Sequence, residues 1–359
     1  MHFGLNEEQQ LLQETVQGFV AGECPPPRLR ELFDAGTGHD PGLWKGLAEM
    51  GIPGLAIDEA HGGAGMQLLE LAIVFEELGA GCLPGPLFGH ALAGLAIQLA
   101  GSDAQRERWL PGIASGETLA TVAFADGADG WDPEQWSLGL DGGSLRGQKQ
   151  HVPHGGHAEF CVVGVAGGGF AVVETQADGV RCEDENGIDR GRPLATLHFD
   201  GAAAEILEGD AGAAARVRDA AAVLLAAEAF GAAWRLVTMT TEYAKTREQF
   251  GTPIAQFQGV KHQLADMATQ VEASRALYWY AAHAWDELPA ESAHAAALAK
   301  SHITDRAIEV ARASVELHGG LGFTWECDVQ LWFKRVLFDR AWGGTPEQHR
   351  RRIAELGAW

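Results

Sequence analysis

The chain has 359 residues, of which 46% are hydrophobic and 21% are charged, so it is long enough for two or three domains with sizeable cores. Its 49 acidic and 26 basic residues give a formal net charge of -23, which argues against nucleic acid and anionic membranes as partners. The five cysteines are scattered and form no C-x-x-C pair, which argues against a disulfide framework and against a metal site of the zinc type.

Targeting and membrane segments are not visible in the sequence. The N-terminus lacks the basic and apolar regions of a signal peptide. No apolar run approaches the roughly eighteen residues that a membrane span needs. These features predict a soluble protein of the reducing cytoplasm.

The first third of the chain, residues 5–115, is predicted to be helical. Apolar residues recur at helical spacing from Leu11, and Asp40 before a proline is a typical helix start. Further apolar helices are predicted over 68–78 and 86–100.

The middle of the chain changes to a strand-and-turn pattern. Short apolar runs alternate there with clusters of Gly, Asp and Pro, and they lie at 119–124, 160–165, 170–173 and 195–199. The glycine-rich connections at 141–143 and 167–169 fit the turns of an antiparallel β-domain.

Long helices return in the last part of the chain. Their predicted spans are 213–246, 254–285, 289–317, 328–341 and 346–357. The order helical, β, helical predicts a mainly α fold with a middle β-domain. The predicted domains are an N-terminal helical domain over 1–117, a β-domain over 118–210 and a C-terminal helical bundle over 211–359.

Two motifs in the C-terminal third are the most specific feature of the sequence. TREQFGTPI occupies residues 246–254, with related residues continuing to Met267, and LHGGLGFTWE occupies residues 317–326. In this order and spacing they resemble the acyl-CoA dehydrogenase family, and the resemblance covers essentially the full chain. It implies an N-terminal helical domain, a middle β-barrel and a C-terminal four-helix bundle that tetramerises.

The resemblance also implies a reaction and its cofactor. Members of the family bind FAD, oxidise an acyl-CoA thioester between its α and β carbons, and usually pass electrons to electron-transfer flavoprotein. A carboxylate base takes the α-proton, and the flavin takes the β-hydrogen as hydride. The expected function is therefore that of an oxidoreductase in lipid or steroid catabolism.

Residues that the family uses to hold FAD across a subunit interface have counterparts here. By the resemblance they are Arg247, Phe250, Gln258, Gly319 and Gly320. A guanidinium offers a planar fork of donors to a pyrophosphate, and glycine lets the backbone approach a phosphate. A further position of the motif, usually Gln in the family, is Glu316, whose carboxylate would repel a pyrophosphate.

Each of these residues also has a plainer interpretation. Arg247 could form a surface ion pair with Glu242 or Glu248, and Phe250 could be a core aromatic residue. Gly319 and Gly320 could form an ordinary turn.

The usual positions of the catalytic carboxylate hold no carboxylate in this chain. The family's Tyr-Glu-Gly-Thr stretch corresponds to 342–345, where Gly343 stands in place of the base. Some members place the base twenty-six residues before the motif arginine, and that position is Ala221. Glu228 lies two helical turns further on, about 10 Å along the axis, and is a weak candidate that could equally be paired inside the bundle. Weaker candidates still are Glu242, Asp339 and Glu347.

The β-domain also departs from the family pattern. A Thr-Glu-Pro-like turn of the family corresponds to a stretch containing Ala125, and its Trp-x-Thr corresponds to residues leading to Pro153. Alanine has no hydroxyl and proline has no N–H, so hydrogen bonds to a flavin ring are lost. His151 could act as a base, but a lone histidine is more often a polar loop residue.

The family residues that this chain keeps and those that it lacks differ in the subunit whose FAD they serve. The chain keeps the residues lent to a neighbour's FAD and lacks those offered to its own flavin and substrate. This resembles the partner (β-type) subunit of heteromeric α₂β₂ steroid side-chain acyl-CoA dehydrogenases, whose α-type subunit supplies the catalytic Glu. Two alternatives remain: a self-sufficient homo-oligomer with a relocated base, and a catalytically inert scaffold of the same fold.

Overall fold

The computed structural model describes residues 4–127, 130–209 and 212–357. Within these ranges the helices are α1 (Glu7–Glu23), α2 (Pro26–Ala35), α3 (Pro41–Glu49), α4 (Leu68–Gly81), α5 (Leu87–Ala100), α6 (Asp103–Ser115), α7 (Ala213–Thr246), α8 (Gln258–Glu272), α9 (Arg275–Glu287), α10 (Pro289–Leu317), α11 (Val329–Ala341) and α12 (Pro346–Leu356). The strands are β1 (Ala120–Ala123), β2 (Leu140–Asp141), β3 (Ser144–Pro153), β4 (Phe160–Val165), β5 (Gly169–Glu174), β6 (Val180–Glu185), β7 (Leu194–Ala203), β8 (Glu205–Ile206), β9 (Glu248–Gln249) and β10 (Thr252–Pro253). This order of helices, strands and helices confirms the predicted fold class.

Side-chain caps set the starts of several helices. Asn6 accepts a hydrogen bond from the Gln9 N–H at 2.8 Å, and the Gln9 side chain accepts one from the Asn6 N–H. Asp40 accepts from the Leu43 N–H at 2.8 Å, with a proline as the first residue of α3. These contacts satisfy N–H groups that the first helical turn leaves free. The Asp40 cap confirms the predicted start of α3.

The middle strands of the described chain form two four-stranded sheets. Their strand orders are β1-β4-β5-β8 and β2-β3-β7-β6. A single bridge between Ala125 and Gln150 joins the two sheets, and both contribute side chains to one apolar core that includes Val163, Leu197 and Phe199. The alternation of inward apolar residues along the strands accounts for this core.

One pair of strands corrects the prediction of an antiparallel β-domain. β1 runs parallel to β4, with Ala120 opposite Phe160 and Ala123 opposite Val163. Parallel neighbours need a long connection, and here that connection contains β2 and β3. Local turn signals mark hairpins well, but they carry no information about this distant pairing.

The C-terminal helices follow the prediction with one exception. The single helix predicted over 254–285 is wrong, because α8 and α9 are separate and meet at Ala273 and Ser274. The Ser274 N–H donates to the Val271 carbonyl at 2.9 Å, and its hydroxyl donates to the Gln270 carbonyl at 2.8 Å. No glycine or proline marks this break, so the apolar pattern runs through it.

In the described chain, α7 is long and apolar enough to cross a membrane, which the sequence interpretation did not anticipate. Its most apolar window is 89% buried inside the protein. Burial of that extent is typical of the core helix of a globular protein.

The described chain divides into two compact units. One contains the residues up to Arg30, Ala72–Leu83 and the chain from Ala222 onward. The other contains Glu31–Leu71 and Pro84–Ala221. The division into three domains at 117 and 210 stays a prediction.

Two adjacent buried carboxyl groups lie on α4 within the first unit. Glu76 accepts hydrogen bonds from Arg275 at 2.5 Å and from the Tyr278 hydroxyl, whereas Glu77 accepts one from the Gln13 amide at 2.9 Å. Burial and then the charge of Glu76 raise the pKa of Glu77 to about 7. Protonation of Glu77 is therefore coupled to folding near neutral pH.

We expect Glu77→Gln to stabilise the protein above neutral pH. The pKa of Glu77 is raised on folding, so its contribution is most favourable below pH 4.5 and is lost as the pH rises to about 7. At pH 8 the free energy of unfolding of the variant should exceed that of the natural chain by about 1–3 kcal/mol, and near pH 4.5 this difference should vanish. Thermal unfolding of both proteins across this pH range checks the prediction, and a pH-independent difference would contradict it.

Candidate functional site

Arg247 lies directly after the end of α7, with its side chain exposed. Its N–H donates to the Tyr243 carbonyl at 2.8 Å and its carbonyl accepts from the Ile254 N–H at 2.8 Å, so its backbone is fixed at both ends. The guanidinium forms no ion pair or hydrogen bond with any residue in the described ranges. Glu242, one alternative partner, pairs instead with Lys245 at 2.6 Å.

Phe250 is held in the open by the tight turn between β9 and β10. Its side chain is 95% exposed, its φ is 55°, and the following Gly251 has a φ of 77°. The alternative interpretation of Phe250 as a core aromatic is therefore wrong. Its ring meets the ring of Phe257 edge to face, with the centroids 6.1 Å apart. The residue after Phe257 is Gln258, which is exposed at the start of α8.

Gly319 and Gly320 begin the short 3-10 turn Gly319–Phe323 that follows α10. Gly319 has a φ of 61°, both residues are exposed, and a Cβ at either position would meet no atom within 4 Å. The backbone is thus accessible to a ligand of the size of a phosphate. Glu316 is exposed in the last turn of α10 and keeps the unfavourable charge that the sequence predicts.

An aromatic contact joins the last turn of α7, directly before the first motif, to the second motif. The rings of Tyr243 and His318 stack with centroids 4.2 Å apart and planes 21° from parallel. The Tyr243 hydroxyl donates to the His318 carbonyl at 3.3 Å. This contact connects the residue that supports Arg247 to the residue that precedes Gly319.

The family's two base positions hold backbone and methyl groups only. Gly343 and Gly344 have φ values of 74° and 105°, a backbone shape that favours glycine over a carboxylate-bearing residue. A Cβ at Gly343 would meet only the tip of Leu225, at 3.9 Å. Ala221 is 3% exposed. Neither position offers a proton acceptor.

Glu228 is fully buried in an ion pair with Arg335. Both side chains have no exposed surface, and their closest atoms are 2.9 Å apart. Arg335 also donates to the Leu83 carbonyl at 3.2 Å. This arrangement matches the structural alternative for Glu228, a charge paired inside the bundle.

The weaker carboxylate candidates are also engaged. Glu347 accepts hydrogen bonds from Arg340 at 2.9 Å and Arg350 at 3.3 Å, and Glu242 pairs as described above. Asp339 is fully buried.

A buried lysine beside the Gly343 turn was missed by the sequence interpretation. Lys300 donates from Nζ to the Trp342 carbonyl at 3.0 Å and to the Asp339 carbonyl. Burial lowers its pKa to about 7. The only sequence signal was a single lysine in an alanine-rich helical stretch, which by itself predicts a solvent-facing charge.

In the β-domain His151 lies within β3 and is held by a carboxylate. Its φ is 56°, at an irregularity in the pairing of β3 with β7, and its ring nitrogen Nδ1 lies 2.7 Å from Glu185. Burial opposes the ionisation of Glu185, but hydrogen bonds from His151 and Thr196 outweigh it and lower its pKa to about 2. The contact gives His151 a structural partner, but the residue belongs to a strand and not to a loop.

Ala125 and Pro153 lie in the strand network of the β-domain. The carbonyl of Ala125 accepts from the Gln150 N–H at 3.1 Å, and Pro153 ends β3. Nearby Lys149 is fully buried and paired with Asp126. Among the residues that the structure describes, no group of three or more His, Cys, Asp or Glu could hold a metal ion.

Comparison with known proteins decides the family. The model of the acyl-CoA dehydrogenase N-terminal domain matches residues 6–117, and that of the C-terminal domain matches residues 211–357. The acyl-CoA dehydrogenase IpdE2 of Mycolicibacterium smegmatis is 34% identical over 350 residues, which cover 97% of this chain and 98% of that protein. The chain belongs to the acyl-CoA dehydrogenase family. The family is FAD-dependent, and its members are oxidoreductases that act on acyl-CoA thioesters.

Two solved structures resemble this chain over nearly its whole length. A variant of the Tcur3481-Tcur3483 steroid ACAD is 30% identical with a TM-score of 0.89, and 98% of each chain is covered. The ChsE4-ChsE5 complex from Mycobacterium tuberculosis is 28% identical with a TM-score of 0.90, and it covers 100% of this chain and 99% of that one.

This member of the family therefore combines two opposite features. The exposed residues Arg247, Phe250, Gly319 and Gly320, here called the motif surface, offer a free cation and accessible backbone. The two base positions offer no group that can accept a proton. The motif surface exposes a cation and open backbone, whereas neither base position carries a side chain that accepts a proton.

Proposed function

We propose that this chain is the β-type subunit of a heteromeric acyl-CoA dehydrogenase. It lends its motif surface to FAD bound mainly by a homologous partner, and the partner supplies the catalytic Glu. The assembly is an α₂β₂ tetramer that dehydrogenates an acyl-CoA thioester between its α and β carbons. Electron-transfer flavoprotein is the proposed electron acceptor.

The observation that carries this proposal is the exposed guanidinium of Arg247. In a chain with 49 acidic residues, an arginine without an ion pair in the described ranges is a free binding group for an anion. Its backbone is fixed by hydrogen bonds to Tyr243 and Ile254, so the side chain extends from a fixed backbone position.

The remainder of the motif surface suits the same cofactor. Gly319 and Gly320 leave open space where a Cβ would stand, so N–H groups there can approach a phosphate. Phe250, with 95% of its side chain exposed, offers an apolar face for a flat ring or for a partner chain. FAD, once bound, supplies the hydride acceptor of the family's reaction. In this chain Arg247, Phe250, Gln258, Gly319 and Gly320 would help to hold it.

The division of labour follows from the base positions. Proton removal needs a group that accepts a proton within hydrogen-bond reach of the substrate. Gly343 and Ala221 carry no such group, and Glu228 is neutralised by Arg335 in a fully buried pair. In the proposed assembly the partner brings the carboxylate, while this chain completes the cofactor site.

We propose a bulky, steroid-type acyl-CoA as the substrate class. The Tcur3481-Tcur3483 relative is a steroid ACAD, and its likeness to this chain extends over 98% of both chains. A Cβ added at Gly343 would lie 3.9 Å from the nearest side-chain atom. Glycine has no side chain, so this space stays open for a bulky acyl group.

Flavin stoichiometry tests the proposal. The chain should be purified alone and after co-expression with a homologous subunit that carries the catalytic Glu. Alone it should be colourless or insoluble and should oxidise no acyl-CoA. Together the two chains should form a yellow, active complex with one FAD for each pair of chains. A chain that alone binds one FAD per subunit and oxidises an acyl-CoA would overturn the proposal, as would a partner whose flavin content does not depend on this chain.

A further inference from the structure

Tyr243 occupies a central place between the two motifs. Its carbonyl accepts the Arg247 N–H at 2.8 Å, its ring stacks on His318 at 4.2 Å, and its hydroxyl donates to the His318 carbonyl at 3.3 Å. One residue thus contacts the backbone that carries the free guanidinium and the residue that precedes the open glycine turn.

His318 is fixed from the other side. It is 6% exposed, and its Nδ1 lies 2.7 Å from the Ser314 carbonyl. A carbonyl oxygen can only accept, so Nδ1 carries a proton and the ring orientation is set. The imidazole plane is therefore determined by Ser314 within α10, and Tyr243 packs on a ring that does not rotate freely.

We infer that Tyr243 and His318 are positioning residues for the motif surface. The stacked pair holds Arg247 and Gly319 in a fixed relation before the cofactor and the partner arrive. A guanidinium and a set of backbone N–H groups bind one pyrophosphate well only when both are already in place, because ordering them during binding reduces the affinity. This inference rests on the proposed function, since it concerns the cofactor that the motif surface is proposed to bind.

A pair that only stabilised the fold would behave differently. Its loss would lower the unfolding temperature of the complex, but the folded molecules would bind FAD with unchanged affinity. Loss of a positioning pair weakens FAD binding in molecules that are still folded and assembled. The dissociation constant of FAD, measured on apo-complex of verified tetrameric state, separates the two roles.

Substitutions at Tyr243 in the co-expressed complex provide the test. Tyr243→Leu removes the stack and the hydroxyl, and the dissociation constant of FAD should rise roughly three- to tenfold. Tyr243→Phe keeps the stack, so most of the affinity should return, with a rise of about twofold for the lost hydroxyl. Tyr280→Leu is the matched control, because Tyr280 is a partly exposed tyrosine of the same bundle whose hydroxyl bonds Glu291, and it should leave FAD affinity unchanged.

The outcomes are distinguishable from failure of the proposed function. Arg247→Ala is measured beside the Tyr243 variants. If Arg247→Ala weakens FAD binding and Tyr243→Leu does not, the positioning inference is wrong and the proposed function stands. If neither changes the affinity, the proposed function itself is wrong. Should Tyr243→Leu fail to assemble, His318→Ala removes the stack from the opposite side, and the same rise in the dissociation constant is expected.

Discussion

Replacing Arg247 by alanine should strip most of the FAD from the co-expressed complex. A hydrogen-bonded pair between a guanidinium and a phosphate contributes about 1.5–3 kcal/mol, so the dissociation constant of FAD should rise on the order of 10- to 100-fold. The apo-complex should unfold at an unchanged temperature, because the Arg247 side chain has no ion pair or hydrogen bond in the described part of the chain. A residue that contributes to cofactor binding across the interface should change the affinity for FAD strongly and the unfolding temperature of the apo-complex not at all.

Two companion variants sharpen the Arg247 experiment. Arg247→Lys keeps the charge but loses the planar fork of donors, so its dissociation constant should lie between those of the natural chain and the alanine variant. Arg351→Ala is the matched control, because Arg351 is also exposed and has no ion pair with the residues described. Flavin fluorescence during titration of apo-complex with FAD measures all four proteins. An affinity for FAD that stays unchanged in Arg247→Ala would contradict the cofactor role of the motif surface.

Local signals in the sequence predict most of this fold, and the exceptions are tertiary. A cap such as Asp40 acts within one helical turn, so it can be recognised without knowledge of the rest of the chain. The parallel pairing of Ala120 with Phe160 joins segments forty residues apart, and no local pattern specifies it. The break at Ser274 has no glycine or proline, so helical periodicity alone extends across it.

The candidate site divides in the same way. Arg247 and Gly319 stand out in the sequence because they belong to motifs, whereas Lys300 and the stack of Tyr243 on His318 do not. Lys300 is fully buried because α10 packs against the turn at Trp342, and a single lysine among alanines gives no indication of that contact. The environment of a charged residue is a property of its neighbours in space, so the sequence alone cannot supply it.

Glu228→Ala should be among the most destabilising single changes in the chain. It would remove the carboxylate that lies 2.9 Å from Nη1 of the buried Arg335, an atom that also donates to the Leu83 carbonyl at 3.2 Å. Removing one partner of a fully buried ion pair costs about 3–5 kcal/mol, because the remaining charge has lost both water and its counter-ion. The midpoint of urea unfolding, measured on the complex at fixed protein concentration, should fall accordingly.

The double variant Glu228→Leu with Arg335→Met tests the cause of that loss. It removes both charges and keeps similar volumes, so stability should return close to that of the natural chain.

The same double variant also tests the alternative of a relocated catalytic base. If Glu228 were the catalytic base, Glu228→Leu with Arg335→Met would be stable and inactive. Because we assign Glu228 to the bundle and the base to the partner, the double variant should form a complex that retains FAD and dehydrogenates acyl-CoA at close to the normal rate.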